Sequence, residues 1–113
     1  MKSIYEPSKS LIDFHLAGFG YYDGMKIIDE LKVGTKVELR HEPDNPYDPT
    51  AVAIYYNNTK IGYVPTGKNR ELYTLLYYGH YELFEAFINM FDVNGHPERQ
   101  FRVVVKITDR RQR

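Results

Sequence analysis

A proline-rich loop contains the residues of this chain whose types and spacing are best suited to ligand recognition. Residues 42–50 read Glu-Pro-Asp-Asn-Pro-Tyr-Asp-Pro-Thr, and each of the three prolines fixes its own φ and favours an extended conformation in the residue before it. Asn45, Tyr47 and Asp48 are therefore predicted to stand on a stiff scaffold. An amide, a phenol and a carboxylate in fixed geometry can form directed hydrogen bonds and offer an aromatic face to a ligand.

The same stretch contains carboxylates that could bind a divalent cation. Asp44 and Asp48, together with Asp23 and Glu42, have the oxygen ligands that such ions prefer. Acidic residues in proline-rich turns more often bond to their own backbone, so turn chemistry is the favoured interpretation. The histidines lack the spacing of metal ligands; they are His15, His41, His80 and His96. A metal-dependent nuclease accessory domain is thus the weakest of the alternatives.

No catalytic motif is found in the sequence. It has no serine in a nucleophile-elbow context, and Thr66-Gly67-Lys68 is only a fragment of a phosphate-binding loop. The sequence therefore predicts a binding module rather than an enzyme, with no metal and no cofactor.

Composition indicates one small globular domain spanning residues 1–113, with loosely held termini at 1–10 and 109–113. Hydrophobic residues make up 42% and charged residues 27%, and there is no cysteine. No segment has the length of a bilayer span or the pattern of a signal peptide, so a cytoplasmic location is expected. The formal net charge is zero, which argues against a protein that holds nucleic acid by bulk electrostatics.

Tyrosine dominates the aromatic residues, with 11 Tyr and 6 Phe against no Trp. Tyr rings can build a core or serve as stacking platforms for bases. Glycines and prolines nearby favour display for Tyr21 and Tyr47, whereas for Tyr22, which is also a candidate DNA contact, a place in the core is favoured. Tyr63, before Val64-Pro65, is compatible with either role. A tyrosine-rich surface is also typical of protein interfaces, so a protein–protein interaction module is the main alternative function.

The pattern of apolar residues predicts a mainly β (α+β) fold, a small OB-like or SH3-like antiparallel barrel with one main helix. The helix is expected at about 69–78, ending at Gly79, and a short helical turn at about 25–31. Asn57-Asn58 predicts a tight turn. The strands are expected at 11–18, 35–42, 51–56, 60–64, 81–92 and 101–107.

Several of these segments together resemble the HIRAN domain family. The matching motifs are Phe14-His-Leu-Ala-Gly18, Tyr21-Tyr-Asp-Gly24, residues 31–34 and 37–40, Glu42-Pro-Asp-Asn-Pro-Tyr-Asp48, Ala51-Val-Ala-Ile54 and Lys60-Ile-Gly-Tyr-Val-Pro65. The Asn-Pro-Tyr-Asp loop followed at this distance by Ile-Gly-Tyr-Val-Pro is highly specific. The resemblance covers about 12–79.

The resemblance implies a small barrel that grips the 3′ end of single-stranded DNA, in the context of DNA repair or replication-fork processing. Asp48 would accept a hydrogen bond from the free 3′-hydroxyl, and a carboxylate there would repel the phosphate of a continuing strand. Tyr21 and Tyr47 would wall the pocket, and Asn45 would fix the loop or contact the backbone. A separate helicase or nuclease polypeptide is a possible partner in such a process; oligomeric state is open.

The sequence departs from the DNA-binding pattern of the family at positively charged positions. Gly20 stands where a fork-remodelling relative has arginine, Tyr63 where it has histidine, and Thr66 where it has a phosphate-contacting lysine. Lys68 and Arg70 lie close by in sequence and are the remaining candidate phosphate contacts. Fewer such contacts should weaken binding and flatten its salt dependence.

Overall fold

The structure is a computed structural model, which describes residues 10–19, 23–92, 94–95 and 100–111. Two of the predicted ligand contacts, Tyr21 and Tyr22, lie outside these residues. Most residues of the predicted loose termini also lie outside the described residues, whereas Ser10 belongs to the first strand.

Six strands form one antiparallel sheet in the order β1-β6-β5-β2-β3-β4. Within the described residues, one α-helix, α1, follows β4, and three 3₁₀ segments connect other elements. The strands are β1 (Ser10–His15), β2 (Lys36–His41), β3 (Val52–Tyr56), β4 (Thr59–Tyr63), β5 (Phe84–Phe91) and β6 (Phe101–Ile107). The helix α1 is Arg70–Tyr77, and the 3₁₀ segments are Asp23–Glu30, Thr66–Lys68 and Tyr81–Leu83. The predicted mainly β architecture with one helix is confirmed.

The sheet curls until its first and last strands approach each other. Ala17, just after β1, forms an isolated bridge with Tyr63 of β4, with both N–H···O distances at 2.9 Å. Gly62 makes this approach possible, because a Cβ there would lie 2.5 Å from the carbonyl oxygen of Ala17. The barrel therefore closes directly beside the end of β4.

Side chains that alternate along the strands fill the interior. Val37 and Leu39 of β2 are buried, as their period-two spacing predicts, and so are Phe14 in β1 and Val103 and Val105 in β6. Together with Leu72 and Leu76 of α1 they belong to one hydrophobic cluster. The helix therefore covers the sheet with its apolar face, and Asn69, which directly precedes it, is brought next to the loop between β2 and β3.

The hairpin between β3 and β4 turns at the predicted residues. Asn57 and Asn58 have φ values of 45° and 67°, which asparagine tolerates better than most residues. The turn fixes the register that pairs Tyr56 with Thr59.

The prediction of a strand over residues 81–92 is only partly correct. Tyr81–Leu83 form a 3₁₀ turn, and β5 begins at Phe84. The turn follows the C-terminus of α1, where Gly79 has φ of 89° and its N–H donates to the carbonyl of Leu76. This chain reversal brings Tyr81 back against the helix.

Candidate nucleic-acid interface

The loop between β2 and β3 is organised by a single asparagine. Glu42 N–H donates to the carbonyl of Ala51 at 2.9 Å and closes the base of the loop. Within it, Asn45 Oδ1 accepts the backbone N–H groups of Tyr47 at 2.9 Å and Asp48 at 3.0 Å. This is the local side-chain-to-backbone bonding expected of Asn in a proline-rich turn. Asn45 therefore fixes the loop, as the sequence predicts.

A network of charged and polar side chains connects the loop to β4. Glu42 Oε1 accepts hydrogen bonds from the Tyr63 hydroxyl at 2.6 Å and from Asn45 Nδ2 at 3.2 Å. Glu42 Oε2 forms an ion pair with Lys60 Nζ at 2.6 Å, and Lys60 also donates to the Tyr63 hydroxyl at 3.0 Å. Glu42 and Asn45 of the loop are thus connected by hydrogen bonds and an ion pair to Lys60 and Tyr63 of β4.

This network shifts the pKa of each of its ionisable members. Burial raises the pKa of Tyr63 to about 12, and the neighbouring Glu42 carboxylate adds to the effect. Partial burial raises the pKa of Glu42, but hydrogen bonds from Lys60, Tyr63 and Asn45 lower it by more, so it lies below its ordinary value. Burial lowers the pKa of Lys60, and its bonds to Glu42 and Tyr63 raise it well above the ordinary value.

Asp48 has four hydrogen-bond donors of the protein within reach. Its Oδ1 accepts the backbone N–H of Thr50 at 3.0 Å and the Thr50 hydroxyl at 3.2 Å. Its Oδ2 accepts Asn69 Nδ2 at 2.9 Å and the Thr66 hydroxyl at 3.2 Å. Burial raises the pKa of Asp48, but the bonds from Thr50, Asn69 and Thr66 outweigh it, so the pKa lies below its ordinary value. The group is therefore an ionised acceptor at neutral pH.

A pocket of about 240 Å³ opens beside this carboxylate. Its lining combines small apolar residues with polar groups and two tyrosines: Ala17, Gly18, Asn45, Tyr47, Asp48, Ala51, Tyr63, Val64 and Thr66. Of the residues that donate to the carboxylate, Thr66 lines the pocket, and its hydroxyl is bonded to Oδ2. The pocket can thus offer one charged acceptor, an apolar floor and aromatic walls.

The two tyrosines of the pocket differ in their freedom. Tyr47 is 94% exposed and stands clear of the fold, whereas Tyr63 is half-buried with its hydroxyl in the Glu42 network. Lys60 Nζ also lies 5.0 Å from the centre of the Tyr63 ring. Tyr47 therefore has an open face for stacking, and Tyr63 is part of the supporting structure.

The predicted cations lie next to the pocket rather than in it. Lys68 and Arg70 are both exposed at the start of α1. Lys68 Nζ donates to the backbone carbonyl of Asp13 in β1 at 3.3 Å. Neither Lys68 nor Arg70 is among the described residues that line the pocket.

The carboxylates considered as metal ligands do not gather into one group. Glu42 is paired with Lys60, and Asp48 is bonded to Thr50, Asn69 and Thr66. Over the described part of the chain, no three His, Cys, Asp or Glu side chains are close enough together to hold an ion. The side chain of Asp23 is outside that part. No helix in the same residues is long and apolar enough to cross a membrane.

Sequence reasoning missed Asn69, whose side chain completes the Asp48 site. The sequence identifies Asn69 only as the start of the helix. In the structure it is 1% exposed, and among the described residues it is the one polar residue that is buried. Its amide bridges Asp48 and Thr50, which lie 21 and 19 positions earlier in the sequence. No local pattern reports a contact of this kind.

A second surface was also not predicted as a unit. We define the tyrosine surface as Tyr73, Tyr77, Tyr78 and Tyr81 with His41. The rings of Tyr73, Tyr77 and Tyr81 lie 5.8, 6.0 and 5.9 Å from that of His41, and Tyr77 and Tyr78 are 5.1 Å apart. Three of the tyrosines are more than half exposed. The tyrosine surface lies at the C-terminal end of α1, and the pocket at its N-terminal end.

Two solved structures have the same fold. A protein from Lactobacillus plantarum superposes with a TM-score of 0.73, at 22% identity over 90% of this chain and 97% of that chain. The HIRAN domain of human HLTF superposes with a TM-score of 0.54, at 20% identity over 88% of this chain and 76% of that chain. No curated protein sequence matches this chain.

The HIRAN domain sequence family matches residues 9–108, which includes all six strands, the helix and the pocket. Families of this kind are binding domains and are not defined by a catalytic centre. The chain therefore belongs to the HIRAN domain family, which is associated with nucleic-acid binding.

Proposed function

We propose that this chain is a non-enzymatic module that binds the 3′ end of single-stranded DNA, in the context of DNA repair or replication-fork processing. The observation that supports this most is the ionised Asp48 carboxylate, held in the wall of the 240 Å³ pocket beside the exposed ring of Tyr47. A separate helicase or nuclease polypeptide would supply any enzymatic step.

A terminal hydroxyl has a clear way to reach the carboxylate. Asp48 Oδ2 faces the pocket, and one of its two donors is the Thr66 hydroxyl at 3.2 Å, on an exposed residue. The ligand hydroxyl would replace Thr66 as donor, while Asn69 stays in place at 2.9 Å. A bond to a charged acceptor contributes about 1.5–3 kcal/mol, which corresponds to roughly ten- to hundredfold in affinity.

The same carboxylate would distinguish an end from the interior of a strand. An internal nucleotide has a phosphate in place of the free hydroxyl, and two negative charges at contact distance repel each other in a pocket with an apolar floor. Because Asn69, Thr50 and Thr66 lower the pKa of Asp48, protonation cannot relieve this repulsion at neutral pH. Selectivity would therefore come from chemistry at one oxygen.

The remaining contacts would be tolerant of sequence. Tyr47 would stack on a terminal base, which contributes about 1–3 kcal/mol and depends little on base identity. Tyr21 and Tyr22, which lie outside the described residues, are proposed from the family resemblance as further contacts to the terminal nucleotide. Lys68 and Arg70 would bind phosphates of the preceding nucleotides.

The test of this site uses Asp48→Asn with single strands that carry a free 3′-hydroxyl. The amide keeps the shape of the side chain but loses the charge, so affinity for the free end should fall about tenfold or more. Thr66→Val is the matched control, because it removes only the hydroxyl that the ligand would displace. Full affinity in Asp48→Asn, measured by fluorescence anisotropy, would contradict the assignment.

The tyrosine surface supports a second candidate function, the binding of a protein. Exposed tyrosines are enriched at the centres of interfaces. Tyr77 is 54%, Tyr78 72% and Tyr81 52% exposed, and they adjoin one another. If a partner protein binds there, Tyr77→Ala should abolish its binding and leave DNA binding unchanged in a two-ligand titration.

A further inference from the structure

Asn69 stands at the start of a helix but does not act as a helix cap. An Asn in that position normally bonds to the free backbone N–H groups of the first turn. Here its backbone carbonyl accepts the N–H of Tyr73 at 2.8 Å, but its side chain makes no capping bond. Its backbone has φ of −99° and ψ of −15°, which lies in the helical region. The amide instead points into the protein, towards Asp48.

Both ends of that buried amide are used. Nδ2 donates to Asp48 Oδ2 at 2.9 Å, and Oδ1 accepts the Thr50 hydroxyl at 3.0 Å. Among the described residues, no buried side-chain nitrogen or oxygen lacks a partner. A buried amide with each end bonded has one orientation, because rotating it by 180° would set its NH₂ against the Thr50 hydroxyl and its oxygen against a carboxylate.

Thr50 links the two acceptors. Its hydroxyl has one hydrogen but lies 3.2 Å from Asp48 Oδ1 and 3.0 Å from Asn69 Oδ1, so it donates to only one of them at a time. When it donates to Asn69, it fixes the amide that holds Asp48 Oδ2. Asp48 Oδ1 then keeps the Thr50 backbone N–H at 3.0 Å. Each oxygen of the carboxylate is thus anchored by a donor that does not line the pocket.

We propose that Asn69 is a positioning residue, which holds Asp48 Oδ2 at the pocket wall and so sets the selectivity for strand ends. This inference rests on the proposed function. Thr66 is exposed and exchangeable, whereas Asn69 is buried and stays bonded when a ligand enters. Removing the amide would let the carboxylate rotate away from the position that a terminal hydroxyl can reach, without touching the surfaces that contact bases or phosphates.

The experiment compares single strands ending in a 3′-hydroxyl or a 3′-phosphate, bound to the wild type and to Asn69→Leu. Leucine is similar in size but forms neither hydrogen bond. We expect the affinity ratio of the two ends to fall about tenfold, because the hydroxyl end loses its acceptor and the phosphorylated end is repelled less.

Thr50 provides a second test that leaves the Asn69 side chain itself in place. Thr50→Val removes the hydroxyl and should reduce the ratio in the same direction, whereas Thr50→Ser keeps it and should restore the wild-type ratio. If circular dichroism shows that Asn69→Leu is unfolded, the two Thr50 variants test the role of Asn69 in its place. A ratio that stays at the wild-type value in a folded Asn69→Leu, or in Thr50→Val, would overturn the role of Asn69. A wild type without any preference between the ends would instead overturn the proposed function itself.

Discussion

The two ends of helix α1 carry surfaces of opposite character. At its start, Asn69 joins a network in which each polar side chain has partners and Asp48 has four hydrogen-bond donors within reach. At its end, the tyrosine surface consists of rings in edge and stacked contact, with one long hydrogen bond of 3.5 Å between Tyr81 and His41. A fixed polar network suits recognition of one chemical group, whereas exposed rings suit contacts that tolerate variation.

The largest expected effect comes from opening the barrel at the pocket end. In Gly62→Ala the new Cβ would meet the carbonyl oxygen of Ala17 at 2.5 Å, so the bridge between Ala17 and Tyr63 must separate. We expect the free energy of unfolding to fall by about 1–3 kcal/mol, as for other overpacked sites, and binding of strand ends to fall with it. Gly67→Ala, where a Cβ meets nothing within 4 Å, is the matched control for urea denaturation. Equal stability of the two variants would contradict this closure.

Alanine substitutions of Tyr47 and Tyr77 compare the surfaces at the two ends of α1 directly. Tyr47→Ala should reduce the binding free energy for single-stranded DNA by about 1–3 kcal/mol through loss of stacking. Tyr77→Ala removes a ring that is 54% exposed at the other end and should leave DNA affinity unchanged. Tyr47 is 94% exposed, so its loss should not lower the melting temperature. An equal loss of affinity in both variants would remove the distinction between the surfaces.

The pH dependence of stability should originate at the pocket end. Glu42 and Asp48 have lowered pKa values in the fold, so their contribution is present above the ordinary values of 4.5 and 3.8 and disappears as pH falls through the folded-state values. The pKa of Tyr63 is raised from 10.0 to about 12, so its contribution is present below pH 10 and is lost as pH rises towards 12. Denaturation at several pH values checks both limits, and Tyr63→Phe should remove part of the alkaline loss. An unchanged alkaline profile in that variant would argue against the network.

The smallest expected effect concerns the cations beside the pocket. If Lys68 and Arg70 are the phosphate contacts, replacing each with Gln should reduce affinity modestly and lower the slope of log K against log salt by about 0.7. A slope that does not change in either variant would place the phosphate contacts elsewhere. Arg110, near the tyrosine surface, is the control, because Arg110→Gln should leave the slope as it is.

Sequence reasoning predicted the elements whose pattern is local. Alternation located β2 and β6, the Asn57-Asn58 pair located the hairpin, and Leu72 and Leu76 located the buried face of α1. The strand predicted over residues 81–92 is only partly correct, because Tyr81–Leu83 follow the helix so closely that they form a 3₁₀ turn before β5 begins. Local patterns therefore give elements but not their limits next to a chain reversal.

The supporting contacts of the pocket could not be predicted, because they join distant segments. Asn69 reads as a helix start, and its bond to Asp48 depends on how α1 packs against the sheet. Likewise, the ion pair of Glu42 with Lys60 forms because the end of β2 and strand β4 lie on either side of β3 in the folded sheet. The sequence thus suggests which loop carries the recognition groups, and only the packed structure identifies what orients them.

The central claim is that one carboxylate recognises a strand terminus by its free hydroxyl, and the most direct test is the preference of the wild-type protein between two chemically matched ends. Labelled single strands of identical sequence, one with a 3′-hydroxyl and one with a 3′-phosphate, would be titrated by fluorescence anisotropy. The account predicts that the hydroxyl end binds about tenfold more tightly or better. Equal affinity for both ends would contradict it.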